Sequence, residues 1–315
     1  MSVNRAEMKF FQDLAQQASS QPAIPFDQIT IHEFRKACEF INNYSGETAD
    51  VNSLDKNVTL RDGYKIPIRI YNSDITTKGP VLIMFPGCGY IQDFFESNAI
   101  SCSRIAKYSG IKCIMGNFRL APEHLLPIPM YDGYDIVKYV ADHADELNID
   151  KNKIFVGGMS SGAHCAAVIS ELAYQKNEFK VFHQILLNGA YDLAESNHDY
   201  VIYEKEDQIC KRADGISNYI YKLWGIEESQ YKDPLFSPYY SKNLAHLANA
   251  TVIVGEYDGL RSDSEAFYLQ LKQQGNKCRK IVLDGQTHNT YIMRQAMSDG
   301  IDPAEVISNV IKENC

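Results

Sequence analysis

The residues with the clearest capacity for chemistry surround Ser160, which lies in the pentapeptide Gly158-Met159-Ser160-Ser161-Gly162. An apolar run predicted to be a strand precedes this pentapeptide, and a run of helical length follows it. A serine on a sharp strand-to-helix turn needs strained backbone angles, and glycines two residues to either side relieve the crowding. The helix N-terminus then points its free N–H groups at the serine. The pattern predicts that Ser160 is a nucleophile, although the pentapeptide alone is also compatible with an ordinary glycine-rich turn.

A serine hydroxyl is a poor nucleophile unless a base removes its proton and an acid orients that base. On strand–helix scaffolds these partners follow the serine in the order acid, then histidine, each on a loop after a strand. The loop after the second-last predicted strand contains Asp258, and the loop after the last one ends at His288. We therefore predict Asp258 as the acid and His288 as the base. Glu256 and Asp263 remain alternatives for the acid.

The negative charge that develops on an attacked carbonyl oxygen needs two or three N–H donors, an arrangement called an oxyanion hole. The amide of Ser161, at the start of the helix, is one expected donor. The glycine-rich loop Pro86-Gly87-Cys88-Gly89-Tyr90 follows a predicted strand and is expected to supply the others, because glycines let a backbone approach a ligand closely. By itself this loop also fits a plain strand-to-helix connection.

The elements that must position these residues alternate along the chain. Short apolar runs separated by helical stretches predict an α/β fold with a mostly parallel sheet covered on both faces. The predicted strands are 66–70, 81–85, 111–118, 153–156, 183–187, 251–254 and 280–283. The predicted helices are 131–146, 161–176, 262–274 and 303–313.

Two regions depart from this alternation. Near the start, apolar residues recur at helical spacing, strongly at Ile31, Phe34, Cys38 and Ile41 and more weakly at Phe10, Phe11 and Leu14. The stretch 191–232 is rich in Tyr, Asp and Glu, lacks a strand pattern and contains the only tryptophan, Trp224. We interpret both as helices that pack beside the sheet or form a lid; a helix lying on a membrane surface is the alternative for the first.

The composition limits which binding partners and which cellular compartment we expect for this protein. The chain has 315 residues and a formal charge of −9, with no run of Lys or Arg, which argues against nucleic acid and anionic membranes as partners. No apolar stretch is long enough to cross a bilayer, and the first residues lack the apolar core of a secretory signal. The eight cysteines show no metal-binding spacing. We expect reduced thiols, no metal and a cytoplasmic location, with export by a signal-independent route left open.

Four motifs resemble the hormone-sensitive-lipase-like branch of the α/β-hydrolases, over about residues 80–295. The segment Asn117–His124 differs at two positions from that family's D-Y-R-L-A-P-E-H, and the Ser160 pentapeptide is similar to its G-D-S-A-G. Residues 233–238 resemble its D-P-x-x-S-P segment, and residues 258–261 resemble its D-P-L-R.

The resemblance implies one α/β-hydrolase domain over 1–315, with an eight-stranded, mostly parallel sheet and a helical cap formed by about 1–45 and 190–232. It implies hydrolysis of small to medium acyl esters through an acyl-enzyme, with no cofactor, and it allows a homodimer. Two alternatives stay open because a fold does not determine its function. One is a catalytically weak scaffold that binds a small ligand, and the other is a deacetylase or amidase that uses the same three residues.

The loop at Pro86 departs from the family's H-G-G-G-[FY] pattern. By resemblance, the donating amides in this loop are those of Cys88 and Gly89. The proline at position 86 removes an N–H group and a titratable ring, and we expect the Cys88 side chain to narrow the approach to the oxyanion. Replacing Cys88 by glycine is therefore expected to raise turnover.

Two further departures lie beside the nucleophile and the base. Met159 replaces an acidic residue, and Asn289-Thr290 replace the family's Gly-Phe pair. We predict that Tyr90, Met159 and Asn289 contact the substrate. Together the departures predict an altered pocket and a slow or selective enzyme.

Overall fold

The structure is a computed structural model that describes residues 28–195, 216–294 and 300–315, together with Lys9, Gln12 and Gln16. The predicted helix at Phe10, Phe11 and Leu14 lies outside these residues. Parts of the two predicted cap segments lie outside them as well.

One eight-stranded sheet forms the centre of the described chain, as predicted. In chain order its strands are β1 Ser53–Thr59, β2 Lys65–Tyr71, β3 Gly79–Phe85, β4 Lys112–Met115, β5 Ile149–Met159, β6 His183–Leu187, β7 Asn249–Gly255 and β8 Cys278–Leu283. Their spatial order is β1-β2-β4-β3-β5-β6-β7-β8. β1 and β2 run antiparallel to their neighbours, and the other strands pair in parallel. Every residue of β4 and β6 is buried, as expected for strands covered on both faces.

The described helices pack on both faces of this sheet or above its edge. They are α1 Ile31–Cys38, α2 Phe95–Ser109, α3 Ile128–Asp142, α4 Ser161–Lys176, α5 Ile216–Trp224, α6 Arg261–Gln273 and α7 Pro303–Asn314. Short 3₁₀ helices lie at Glu39–Tyr44, Glu228–Gln230, Pro238–Tyr240 and Leu244–His246. The four predicted helices are confirmed to within about four residues at their ends, as expected for helix boundaries read from a sequence.

Two elements were absent from the sequence predictions. β1 lies at the sheet edge, and Val58 is its only buried residue, so it has no apolar alternation. The buried face of α2 carries small polar residues, among them Ser97, Asn98 and Ser101, where an apolar stripe would be the usual signal. The predicted strand at 111–118 is also shorter, because pairing with β3 ends at Met115.

The parallel strands bring the loops after β3, β5, β6, β7 and β8 to the same edge of the sheet. β3 and β5 are neighbours, so the loop after Phe85 lies beside the turn after Met159. β6, β7 and β8 follow in order on the other side of β5. The order of the strands therefore places the residues predicted to act together at one edge of the sheet. Functional residues usually lie at the carboxyl ends of parallel strands.

Candidate active site

The backbone at Ser160 has the strained geometry that the sequence pattern predicts. Its φ is 54° and its ψ is −119°, which is rare for a residue with a side chain. Its N–H donates to the carbonyl of Leu187 at 2.8 Å. A Cβ atom at Gly158 would lie 2.3 Å from the Gly162 carbonyl carbon, and one at Gly162 would lie 2.1 Å from the Phe85 carbonyl oxygen. Both glycines are required because the turn is packed backbone against backbone.

The Ser160 side chain is in line with the two partners predicted for it. The Ser160 Oγ atom is 3.0 Å from His288 Nε2. His288 Nδ1 lies 2.9 and 3.0 Å from the two carboxylate oxygens of Asp258. Since an ionised carboxylate only accepts, Nδ1 carries the proton and Nε2 is left to accept the Ser160 hydroxyl. The Asp258 side chain is fully buried, and its Oδ1 also accepts the Leu260 N–H at 2.7 Å.

The two alternative acids have other partners. The Glu256 carboxylate accepts the N–H of Gly285 at 2.8 Å. Asp263 is buried and accepts the N–H of Tyr191 at 2.9 Å. Asp258 is therefore the carboxylate that contacts the His288 imidazole.

The predicted oxyanion donors are not equivalent in the structure. Among the described residues, no protein acceptor is found for the amides of Gly89 and Ser161, so both donors are unused by the protein there. The Cys88 amide instead donates to Ser161 Oγ at 3.0 Å, and that hydroxyl donates to the Pro86 carbonyl at 3.2 Å. The Cys88 amide was predicted to hold the oxyanion, and the structure corrects this prediction. The hydroxyl of Ser161, where the family pattern has alanine, accepts the hydrogen bond from this amide.

The Cys88 thiol belongs to the core. The residue is only 6% exposed, and its Sγ lies 3.7 Å from Ser161 Oγ. Burial raises the pKa of the Cys88 thiol to about 12, so the group stays protonated near neutral pH.

The sequence predicts that Tyr90 contacts the substrate, but its side chain lies in the core. The residue is fully buried, with a φ of 57°, and its hydroxyl lies 2.8 Å from His164 Nδ1. His164 Nε2 lies 2.9 Å from the Phe236 carbonyl, which can only accept, so Nε2–H donates there and Nδ1 accepts the Tyr90 hydroxyl. Burial lowers the pKa of His164 to about 4, which keeps its ring neutral. The prediction of Tyr90 as a substrate contact is wrong. Its ring packs in the core and supports the loop Pro86–Tyr90.

The other two predicted substrate contacts differ from each other. Met159 is 1% exposed, and its Sδ would lie 2.6 Å from a Cβ atom at Gly87. Met159 fills the space beside Gly87 in the loop Pro86–Tyr90, which we call the oxyanion loop. The prediction of Met159 as a substrate contact is therefore wrong as well. Asn289 is half-buried directly after His288 and stays a prediction.

Trp224, in the 191–232 stretch, makes a contact that could not be predicted from residue types and spacing. Its indole N–H donates to the Gly89 carbonyl at 2.8 Å, and its ring meets the Tyr90 ring edge-to-face at 5.7 Å. Trp224 is the last residue of α5. The helix beside the sheet is thus attached to the oxyanion loop.

The residues that the structure describes contain neither a metal-binding cluster nor a membrane-spanning helix. No three His, Cys, Asp or Glu side chains cluster there in a way that would hold a metal ion. No helix among them is both long and apolar enough to cross a membrane.

Known proteins are similar to this chain in sequence and in overall fold. A sequence model of the α/β-hydrolase fold family matches residues 82–292. An arylesterase of Saccharolobus solfataricus is 29% identical over 243 residues, covering 77% of this chain and 76% of that protein. An ethyl acetate hydrolase of Pseudomonas putida is 23% identical over 333 aligned positions, covering all of both chains.

Among solved structures, a hyperthermophilic esterase from the archaeon Pyrobaculum calidifontis superposes with a TM-score of 0.83 at 26% identity, covering 99% of each chain. The matched region contains the motifs on which the resemblance was based, including the Ser160 pentapeptide and the segment Asn117–His124. The chain belongs to the α/β-hydrolase fold family, in its hormone-sensitive-lipase-like branch.

Proposed function

We propose that this protein is a carboxylic ester hydrolase with Ser160 as nucleophile, His288 as general base and Asp258 as the acid that orients it. The observation that carries the proposal is the continuous hydrogen-bonded line from Ser160 Oγ through the imidazole to the buried carboxylate. Relatives named as esterases support the reaction class.

In the first half-reaction the ester becomes an acyl-enzyme. His288 Nε2 takes the Ser160 proton while Oγ attacks the ester carbonyl carbon. The carbonyl oxygen gains negative charge and is held by the amides of Gly89 and Ser161. Asp258 stabilises the imidazolium that forms. When the tetrahedral intermediate collapses, His288 gives its proton to the departing alkoxide, which leaves as an alcohol.

The second half-reaction regenerates the enzyme. His288 Nε2 removes a proton from a water molecule, and the resulting hydroxide attacks the acyl carbon on Ser160. The same two amides hold the oxyanion again. Collapse returns the proton from His288 to Ser160 Oγ and releases the carboxylic acid, so the cycle consumes only ester and water.

The substrates are small to medium acyl esters. One relative is named for aryl esters and another for ethyl acetate, which supports a pocket built for short acids or simple alcohols. Asn289, half-buried next to the base, is the remaining candidate for a substrate contact.

A single domain carries this site, and a cap formed by about 1–45 and 190–232 covers it. Contacts between the described parts of the two segments support such a cap. The Tyr219 hydroxyl on α5 donates to the Ile29 carbonyl at 3.3 Å, and the Tyr219 ring packs edge-to-face on Phe34 of α1 at 5.4 Å.

The protein works in the cytoplasm and assembles as a homodimer. The seven cysteines within the described residues are all free thiols, which supports a reducing compartment. The homodimer rests on the family resemblance, and size-exclusion chromatography with light scattering measures it directly.

The test is hydrolysis of p-nitrophenyl esters with acyl chains from C2 to C12. Ser160→Ala and His288→Ala should each lower kcat by about 10³-fold or more, since members of such a triad act as a unit. His246→Ala, which removes an exposed histidine outside the site, is the control and should keep its activity. A fluorophosphonate probe should label the wild type and leave Ser160→Ala unlabelled. Retention of a tenth of the activity in either triad variant would refute the mechanism, and an unlabelled wild type would favour a binding module.

A further inference from the structure

A buried asparagine follows β6 at the point where all three loops of the proposed site meet. Asn188 is 2% exposed and has a φ of 52°. Asparagine tolerates this left-handed conformation better than most residues. The conformation turns the chain sharply at the end of the strand and leaves the side-chain amide between neighbouring loops.

Every bond of this side chain has a fixed direction. Asn188 Oδ1 accepts the N–H of Gly255 at 2.9 Å, and Nδ2 donates to the carbonyl of His288 at 3.0 Å. Its own backbone N–H donates to the Ile253 carbonyl at 2.9 Å. Because one partner is only a donor and the other only an acceptor, the orientation of the amide is determined by chemistry.

These partners connect Asn188 to each member of the triad. Gly255 accepts the N–H of Asp258 through its carbonyl at 3.2 Å, so its position affects the acid. Leu187, the residue before Asn188, accepts the N–H of Ser160 at 2.8 Å. The turn after β6 therefore contacts the nucleophile turn, the acid loop and the base loop through main-chain and side-chain bonds.

We propose that Asn188 is a positioning residue that sets the distance between the His288 imidazole and Ser160 Oγ. The inference rests on the proposed function and adds a residue that does not touch substrate. His288 lies on a loop and its side chain is 31% exposed, whereas the Asp258 side chain is fully buried, so the backbone of His288 needs an anchor of its own. The bond from Nδ2 to the His288 carbonyl is that anchor, and a displacement of about 1 Å at a reacting group can cost about 10²-fold in rate.

Asn188→Asp isolates this anchor. Aspartate has the same shape, tolerates the left-handed conformation and still accepts the Gly255 N–H, but it cannot donate to the His288 carbonyl when ionised. We expect kcat to fall by about 10- to 100-fold, with KM within about twofold of the wild type because substrate does not touch residue 188. Asn188→Gly is the neutral second variant; it keeps the backbone conformation, loses both bonds and should fall at least as far.

Rates are expressed per active site, counted by complete titration with a fluorophosphonate. A residue needed only for folding would lower the titrated fraction and leave kcat per site unchanged. Asn276→Asp is the matched control, because Asn276 is also buried and donates through Nδ2 to the carbonyls of Leu244 and Leu247 at 3.1 and 2.9 Å, remote from the site. It should lower the unfolding temperature and keep kcat per site.

The outcomes separate the two proposals. A wild type that neither hydrolyses esters nor takes the probe overturns the proposed function itself. An active wild type whose Asn188→Asp and Asn188→Gly variants keep kcat per titrated site overturns the positioning role alone. An equal loss of kcat per site in Asn276→Asp overturns it too, since loss of any buried amide donor would then have the same effect.

Discussion

Trp224→Phe tests whether the helix beside the sheet helps to hold the oxyanion loop. The substitution keeps an aromatic ring against Tyr90 and removes the indole N–H that donates to the Gly89 carbonyl at 2.8 Å. Gly89 has a φ of 59°, and a Cβ placed there would meet no atom within 4 Å. Without the tether, this glycine has both the conformational freedom and the space to rotate its amide away from the oxyanion.

The magnitude follows from the bond that is lost. Trp224 is 8% exposed and Gly89 is half-buried, so the Gly89 carbonyl loses its partner at a site with limited access to water. Leaving such a group unpaired costs about 1–3 kcal/mol, which corresponds to a shift of about 5- to 150-fold in the population of the working loop. Complete loss of one oxyanion donor costs about 10²–10³-fold in kcat. We therefore expect kcat/KM to fall by about 5- to 100-fold.

The assay is hydrolysis of p-nitrophenyl butyrate, with active sites counted by fluorophosphonate titration. Tyr219→Phe is the matched control, because it removes a donor to a backbone carbonyl from the same helix, at Ile29, away from the oxyanion loop. It should lower stability with little change in kcat/KM. Equal activities for Trp224→Phe and the wild type would refute the coupling between this helix and the loop, and an equal loss in both variants would reduce it to general destabilisation.

Two further predictions use the shifted pKa values. His164 has a pKa of about 4 in the folded chain and about 6.5 in the unfolded chain. Because the unfolded chain binds the extra proton, the free energy of unfolding should fall as the pH drops from 6.5 to 4. The expected loss is about 2 kcal/mol at pH 5. Urea unfolding at pH 7 and pH 5 measures this, and a His164→Asn variant with an unchanged pH dependence would contradict it. The Cys88 thiol, with a pKa raised to about 12 by burial, should not react with Ellman's reagent at pH 8, and activity should survive the treatment. Inactivation that Cys88→Ser prevents would show that this thiol is accessible.

The three triad side chains could be predicted because each lies within a few residues of the end of a strand. Ser160, Asp258 and His288 lie one to five residues beyond β5, β7 and β8, and parallel strands end at a common edge. Their types and order were enough once the strands had been identified. Asn188 also follows a strand directly, but the residue type of a neutral amide does not indicate its hydrogen-bond partners, which lie 67 and 100 residues away in the chain.

The surroundings of the triad could not be predicted because they depend on backbone angles. A positive φ at Tyr90 accompanies a ring that lies in the core, where a pattern of residue types suggested a pocket contact. The Cys88 amide donates to the hydroxyl of Ser161, which lies 73 residues further along the chain. The backbone amide of Ser161 was itself predicted to hold the oxyanion together with that of Cys88. Which of two neighbouring donors is left unused by the protein is decided by such local pairing, and composition and spacing carry no record of it.

The sole tryptophan gives this protein an intrinsic optical reporter. Indole is the only side chain excited near 295 nm, so all emission from the chain under that light arises at position 224. There the indole N–H is bonded to the loop expected to receive the developing charge of the reaction. Fluorescence recorded during turnover therefore reports on the surroundings of this one indole, which include the Gly89 carbonyl and the Tyr90 ring, and no added label is needed.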